Sequence, residues 1–245
     1  MSTFKKGLKK FGRYVWEFFK NSLPAVLMFF TAGTVLLMLT MKGSENELEE
    51  VKIAWDNTKL LWTIVCGVAA CAYEGLLMYA CGGTHYEQLV SGNLKRTADT
   101  YYDSKHREEK EYRPWKGFVI GCFIAIYTII FGLIFGFNQE ALAAKDLSTG
   151  TSVLLLIGFF ISGWSILPFY YLNAGGVYVS YFWSCAFAIL PILIGGIFYI
   201  VGAYGRRNKV IRQQEAADKA SKAQMEKPKK INYGGLPGTK PKKRK

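Results

Sequence analysis

Charge is missing from long stretches of this chain, and that absence excludes more than any motif includes. Five runs, Ser22–Met41, Leu60–Cys81, Gly117–Phe137, Val153–Leu172 and Val177–Ala203, hold a single ionisable acid or base between them, Glu74. A water-soluble domain would interleave polar and apolar residues at helical or strand spacing. Here the apolar residues are blocked together. Each run is close to the ~20 residues that carry a helix across a ~30 Å hydrocarbon layer. Barrel strands are about half as long and alternate apolar with polar, so a β-barrel is excluded. The fold class is all-α, a polytopic helical membrane bundle.

Other absences narrow the chemistry. Histidine occurs twice, as His85 and His106. The five cysteines lie within the apolar runs and none in the expected outer loops, which argues against a disulfide framework. Cys81, His85 and Glu87 have faintly metal-like spacing, but a site needs three or four ligands. His85-Tyr86-Glu87 also lacks the later Pro-Cys-x-x-Cys of a zinc deaminase. There is no phosphate-cradling glycine loop, HExxH, nucleophile elbow or pair of acids. No metal, cofactor or enzymatic activity is expected. The polar pieces outside the runs are near or below the ~40 residues under which a fold needs staples, so no separate soluble domain is expected.

What is present is apolar, aromatic and basic. Of 245 residues, 51% are hydrophobic and 16% aromatic, and 31 Lys and Arg against 18 acids leave a net charge of +13. The first run follows a basic stretch, but it is too long for a signal h-region and no small-x-small cleavage site follows. It reads as a retained anchor. The basic residues also set orientation. Lys and Arg number six in residues 1–21, three in 42–59, seven in 82–116, one in 138–152 and fourteen in 204–245. Five full crossings would leave 13 on one side and 18 on the other, no convincing bias. If one of the last two runs enters and leaves on the same side, the count becomes 27 against 4. The expectation is therefore four full spans plus one re-entrant helix, with both termini cytoplasmic. Val153–Leu172 is the better re-entrant candidate, because Gly158, Ser162, Gly163, Ser165 and Pro168 can break it. The bland alternative is five ordinary crossings and an exported basic tail. Placement is in the cell membrane, or an internal membrane in a eukaryotic host.

Lipid provides no hydrophobic drive for helices to associate, so small residues that permit close approach mark interfaces. Gly117, Gly121, Ala125, Thr128, Gly132 and Gly136 fall on one face of the third run, and Gly67 and Gly75 lie in the second. Packing within the chain is the preferred use of these positions, and a homodimer face the alternative.

Three features carry functional weight. Glu74 is an acid inside the membrane, where charge costs at least ~2.5–3.5 kcal/mol. It must be protonated, face water, or bond to hydroxyls such as Tyr73, Tyr127, Thr128 or Ser162. The expected partition of the chain begins with residues 1–21, a basic amphipathic helix. Phe4, Leu8 and Phe11 follow helical spacing on one stripe, with Lys5 and Lys9 on other faces, a pattern suited to anionic lipid headgroups. Residues 22–203 form the bundle, with the charged linker 82–116 expected as a helical extension with a solvated face. Residues 204–245 form a basic, mostly disordered tail, suited to anionic lipid, a protein partner or ribosomal RNA. Its final Lys242-Lys243-Arg244-Lys245 also matches a dilysine retrieval or basic import pattern.

Two function classes follow. The first is a non-enzymatic membrane subunit, scaffold or accessory factor with basic cytoplasmic ends. The second is a small transporter or permease component using Glu74, placed where interrupted helices put substrate sites; no internal inverted repeat supports it.

Overall fold

The computed structural model describes residues 3–40, 49–97, 108–144, 146–174 and 176–226. Every regular element among them is helical: α1 (Thr3–Thr40), α2 (Glu49–Thr97), a 3₁₀ turn (Glu108–Lys110), α3 (Lys116–Phe137), α4 (Gln139–Ala144), α5 (Thr149–Ala174), a 3₁₀ segment (Tyr181–Ala188) and α6 (Ile189–Glu226). Five helices are long and apolar enough to cross a bilayer, which makes this a polytopic helical membrane protein. Helices are what lipid allows, since their backbone hydrogen bonds are satisfied within the segment. The chain divides into two compact units, Met1–Arg207 and Asn208–Lys245. In the second, the helical side chains 208–222 are almost all exposed.

The first unit packs α1 against α2, α3 and α5. Its core has an aromatic and small-residue centre, including Ala25, Phe29, Leu36, Ala70, Ile124, Trp164 and Leu167. The small stripe on α3 faces the fifth run. A methyl added at Gly121 would meet the Pro191 carbonyl at 2.6 Å, and one at Gly132 would meet Ser184 Oγ at 2.6 Å. Gly117 lies against Tyr199 and Gly136 against Phe182. Rising numbers on α3 therefore meet falling numbers on its partner, so the two segments are antiparallel. Ala125 and Thr128 complete the buried face. A methyl added at Gly67 would lie 3.7 Å from the Trp164 ring, and one at Gly75 3.3 Å from that of Phe198.

Helix α5 doubles back. Its backbone leaves helical geometry at Ser162, with φ −123° and ψ 19°. A straight helix would hold Phe159 and Tyr170 about 16 Å apart along its axis, yet their ring centres are 5.6 Å apart. Phe159 stacks edge-on with Phe135 at 4.7 Å, and Leu155, Ile166, Phe169 and Tyr181 share one cluster with Phe135. Both arms, 149–161 and 163–174, thus lie beside the same late part of α3. The apex sits against α1, where Gly163 would place a methyl 3.2 Å from the Gly33 Cα. Ser162 and Ser165 at this turn are fully buried, as irregular backbone at membrane depth requires. After α5, Asn173 donates from Nδ2 to the Val179 carbonyl at 3.0 Å, and Ser180 bonds Gln139 at 3.0 Å. The fifth segment therefore starts near the end of α3 and returns toward its beginning.

Residues 3–21 continue into the first crossing as one 38-residue helix, about 57 Å long. The helix runs on through Pro24 at the junction, where Ser22 Oγ donates to the Phe19 carbonyl at 2.8 Å. Leu8 and Phe11 are exposed, Lys9 is exposed, and Phe18 turns into the bundle. The side chains of Phe4 and Lys5, and residues 227–245 of the tail, lie outside the described set.

Candidate functional site

Glu74 occupies the crossing of α2, α3 and α6. Its side chain is 0% exposed. A methyl on Gly195 would sit 3.2 Å from Glu74 Oε1, 3.2 Å from the Gly117 carbonyl oxygen and 3.3 Å from the Gly121 Cα. Three glycines on two helices thus leave the room that the carboxyl fills. Neither carboxyl oxygen has a hydrogen-bond partner among the described residues. Of the three alternatives for this acid, bonding to the named hydroxyls is not the one seen among the described residues. Tyr73, the next residue round the helix, is 39% exposed; Tyr127 is half-buried and Thr128 buried on α3. Ser162 lies at the α5 apex with its own Oγ unpartnered. With no donor in reach among the described residues, the carboxyl is positioned by packing against glycines rather than by hydrogen bonds.

A second polar site was not legible in the sequence. It lies where α1, the end of α2, the linker, the start of α3 and the fifth run meet. His85 Nδ1 and the Tyr199 hydroxyl are 2.8 Å apart, and His85 Nε2 lies 4.0 Å from Glu17 Oε1. The Lys116 ammonium donates to the carbonyls of Glu109 at 2.6 Å and Glu111 at 2.5 Å, and stands 5.4 Å from the centre of the Tyr14 ring. Tyr112 donates its backbone N–H to the His85 carbonyl at 3.0 Å and stacks on Tyr199 at 5.4 Å. Burial pushes the Tyr112 phenol up, with the neighbouring Tyr204 adding to it. Arg13 Nε reaches Glu109 Oε1 at 3.5 Å, and Glu87 pairs with Arg206.

The linker is therefore only partly a solvated extension. Helix α2 does run on to Thr97, but Glu109, Glu111 and Lys116 are buried. Their burial is tolerable because Lys116 caps two backbone carbonyls and Arg13 answers a carboxylate. The faint Cys81–His85–Glu87 spacing is otherwise used. Cys81 Sγ is 3.9 Å from the His85 ring, His85 turns to Tyr199, and Glu87 to Arg206. One available signal was Lys116 opening an apolar run directly, where a long cationic side chain buries its stem.

α2 and the fifth run touch through backbone. Gly82 packs on the Tyr199 carbonyl and Gly202 on that of Tyr79, which fixes His85 opposite Tyr199. These contacts, with Arg13–Glu109, put residues 13–17, 85–87, 108–116 and 199–206 at one end of the first unit. No protein-family model, curated protein or solved structure matches the chain.

Proposed function

We propose that this protein is a non-enzymatic membrane subunit or scaffold whose basic end faces the cytosol, engaging anionic lipid and a partner protein or RNA. One observation carries it: the N-terminal helix and the end of the fifth run emerge at the same end of the bundle, bound by shared polar contacts. Among the described residues, Arg13, Lys110, Arg113, Lys116 and Arg206 are gathered there by the fold. This supports the 27-to-4 partition of Lys and Arg and, by the positive-inside rule, a cytosolic placement. Residues 208–245 supply most of the remaining positive charge, available for salt-sensitive contacts.

The test is co-purification from mild detergent of the full chain and of a chain ending at Arg207. A partner held by the full chain, released by salt and absent from the shortened one, is the expected result. Identical partners for both overturn the proposal.

A second reading, a small transporter or permease component, draws on the unpartnered Glu74 and the buried α5 apex. It expects Glu74→Gln to abolish flux in proteoliposomes while the protein still inserts. Unchanged flux across ion and proton gradients removes it.

A further inference from the structure

Lys9, Gly12, Arg13, Trp16, Glu17 and Glu109 line a cleft between α1 and the 3₁₀ turn Glu108–Lys110. Its depth is set by its neighbours. Lys116, which opens α3, reaches the Tyr14 ring, and Trp115 lies 5.9 Å from Phe18. The cleft is thus at and just outside the level where the third apolar run begins. That is headgroup depth. Exposed Leu8, Phe11 and Trp16 flank it, apolar groups beside which acyl chains can lie, with an indole suited to the interface.

The lining pairs two cations with two acids. The Glu109 side chain is 5% exposed, and Arg13 Nε approaches it only to 3.5 Å, longer than the ~2.7–2.9 Å of a strong charge-assisted bond. Glu17 has His85 Nε2 at 4.0 Å. Both carboxylates therefore keep accepting capacity. Lys9 has no ion-pair partner among the described residues. Above Gly12 the space is open, since a methyl there would meet nothing within 4 Å.

We propose that this cleft holds the headgroup of an aminophospholipid, its phosphate on Lys9 and Arg13 and its primary ammonium on Glu17 and Glu109. The charges decide the class. An anionic headgroup without an amine would bring a third negative charge against two acids. A choline carries positive charge but has no N–H to give a carboxylate. A primary ammonium supplies three donors, and charge-assisted bonds are the strong ones. The proposal rests on the membrane-surface reading above and deepens it by naming a lipid.

The experiment is native mass spectrometry of the full-length protein, released from detergent after equilibration with equal amounts of phosphatidylethanolamine, phosphatidylcholine and phosphatidylglycerol. We expect the ethanolamine lipid to be retained about tenfold over the choline lipid, the scale of one well-made charge-assisted contact. Glu109→Gln removes an ammonium acceptor and Gly12→Leu fills the open space without touching the ion pair. Each should bring the ratio to parity, with gel filtration showing the same monodisperse particle. Parity in the natural protein overturns the site, as does a preference that survives both substitutions. Retention of phosphatidylglycerol that is lost on ending the chain at Arg207 reports on the surface reading separately. If that truncation-sensitive retention is seen while the ethanolamine preference is absent, the cleft fails and the surface reading stands. If no lipid is retained, both fail.

Discussion

Lys116 is the residue on which the polar end of the bundle turns. Its ammonium satisfies two carbonyls of the 108–111 segment at once. Lys116→Met keeps the stem and orphans both acceptors, each of which costs about 1–3 kcal/mol when buried and unpaired. We expect a loss of about 3 kcal/mol in thermal unfolding in detergent, with new proteolytic cutting confined to residues 108–113. Uncut protein of natural stability would refute this role. Tyr199→Phe is the milder probe. It keeps the stack on Tyr112 and removes the bond to His85, a change of about 1 kcal/mol. At Glu74 the geometry predicts an asymmetry. Glu74→Gln preserves the shape that fills the glycine-lined space, so stability should barely move. Gly195→Ala drives a methyl to 3.2 Å from both the carboxyl and the Gly117 carbonyl and should cost about 1–3 kcal/mol. Equal effects would mean that the space around Glu74 is not shaped by its glycines.

Among the elements, α5 shows how much a sequence can disclose. Gly158, Ser162, Gly163, Ser165 and Pro168 marked the fourth run as breakable, and the break falls at Ser162. The small face of α3 was likewise readable, because period and residue size alone specify it. Which segment it would meet was not, since that depends on where α5 sends the chain. The buried linker acids were hidden for a different reason. A run of balanced charge reads as solvated whenever its partners, here Arg13 and Lys116, lie outside it or at its very end. The hairpin depends on Gly33, whose Cα faces the apex and whose position leaves no room for a side chain beside the Phe160 carbonyl. Gly33→Leu should push α1 and α5 apart at a cost of about 3 kcal/mol. Thiol labelling of a cysteine placed at Trp164, shielded in the natural packing, reports the change; protection that persists would place the apex elsewhere.

For the whole molecule, the proposed layout is four passages, with the fourth of the five apolar segments turning back on itself. The labelling consequence is direct. A cysteine replacing Asp146, between α4 and α5, and one replacing Arg207 should react with an impermeant reagent from opposite sides of sealed vesicles. Cysteines replacing Arg13 and Arg207 should react from the same side. Labelling of the last pair from opposite faces would overturn the common-end arrangement and, with it, the cytosolic scaffold. The length and polarity of the five runs sufficed to place the chain in a bilayer. The amide, imidazole and phenol contacts that tie its two ends together depend on three-dimensional proximity that no local pattern encodes.

The broken apex of α5 also bears on biogenesis. With a non-helical turn at Ser162, the hairpin has backbone groups that bare lipid would leave unsolvated. It therefore has no stable existence until a proteinaceous groove is ready to receive it. Synthesis supplies that groove in time, for α1 and α3, which flank the hairpin, leave the ribosome first. Translocation machinery should thus retain the fourth segment until its neighbours have docked, and a chain lacking α1 should be held there and handed to membrane proteases.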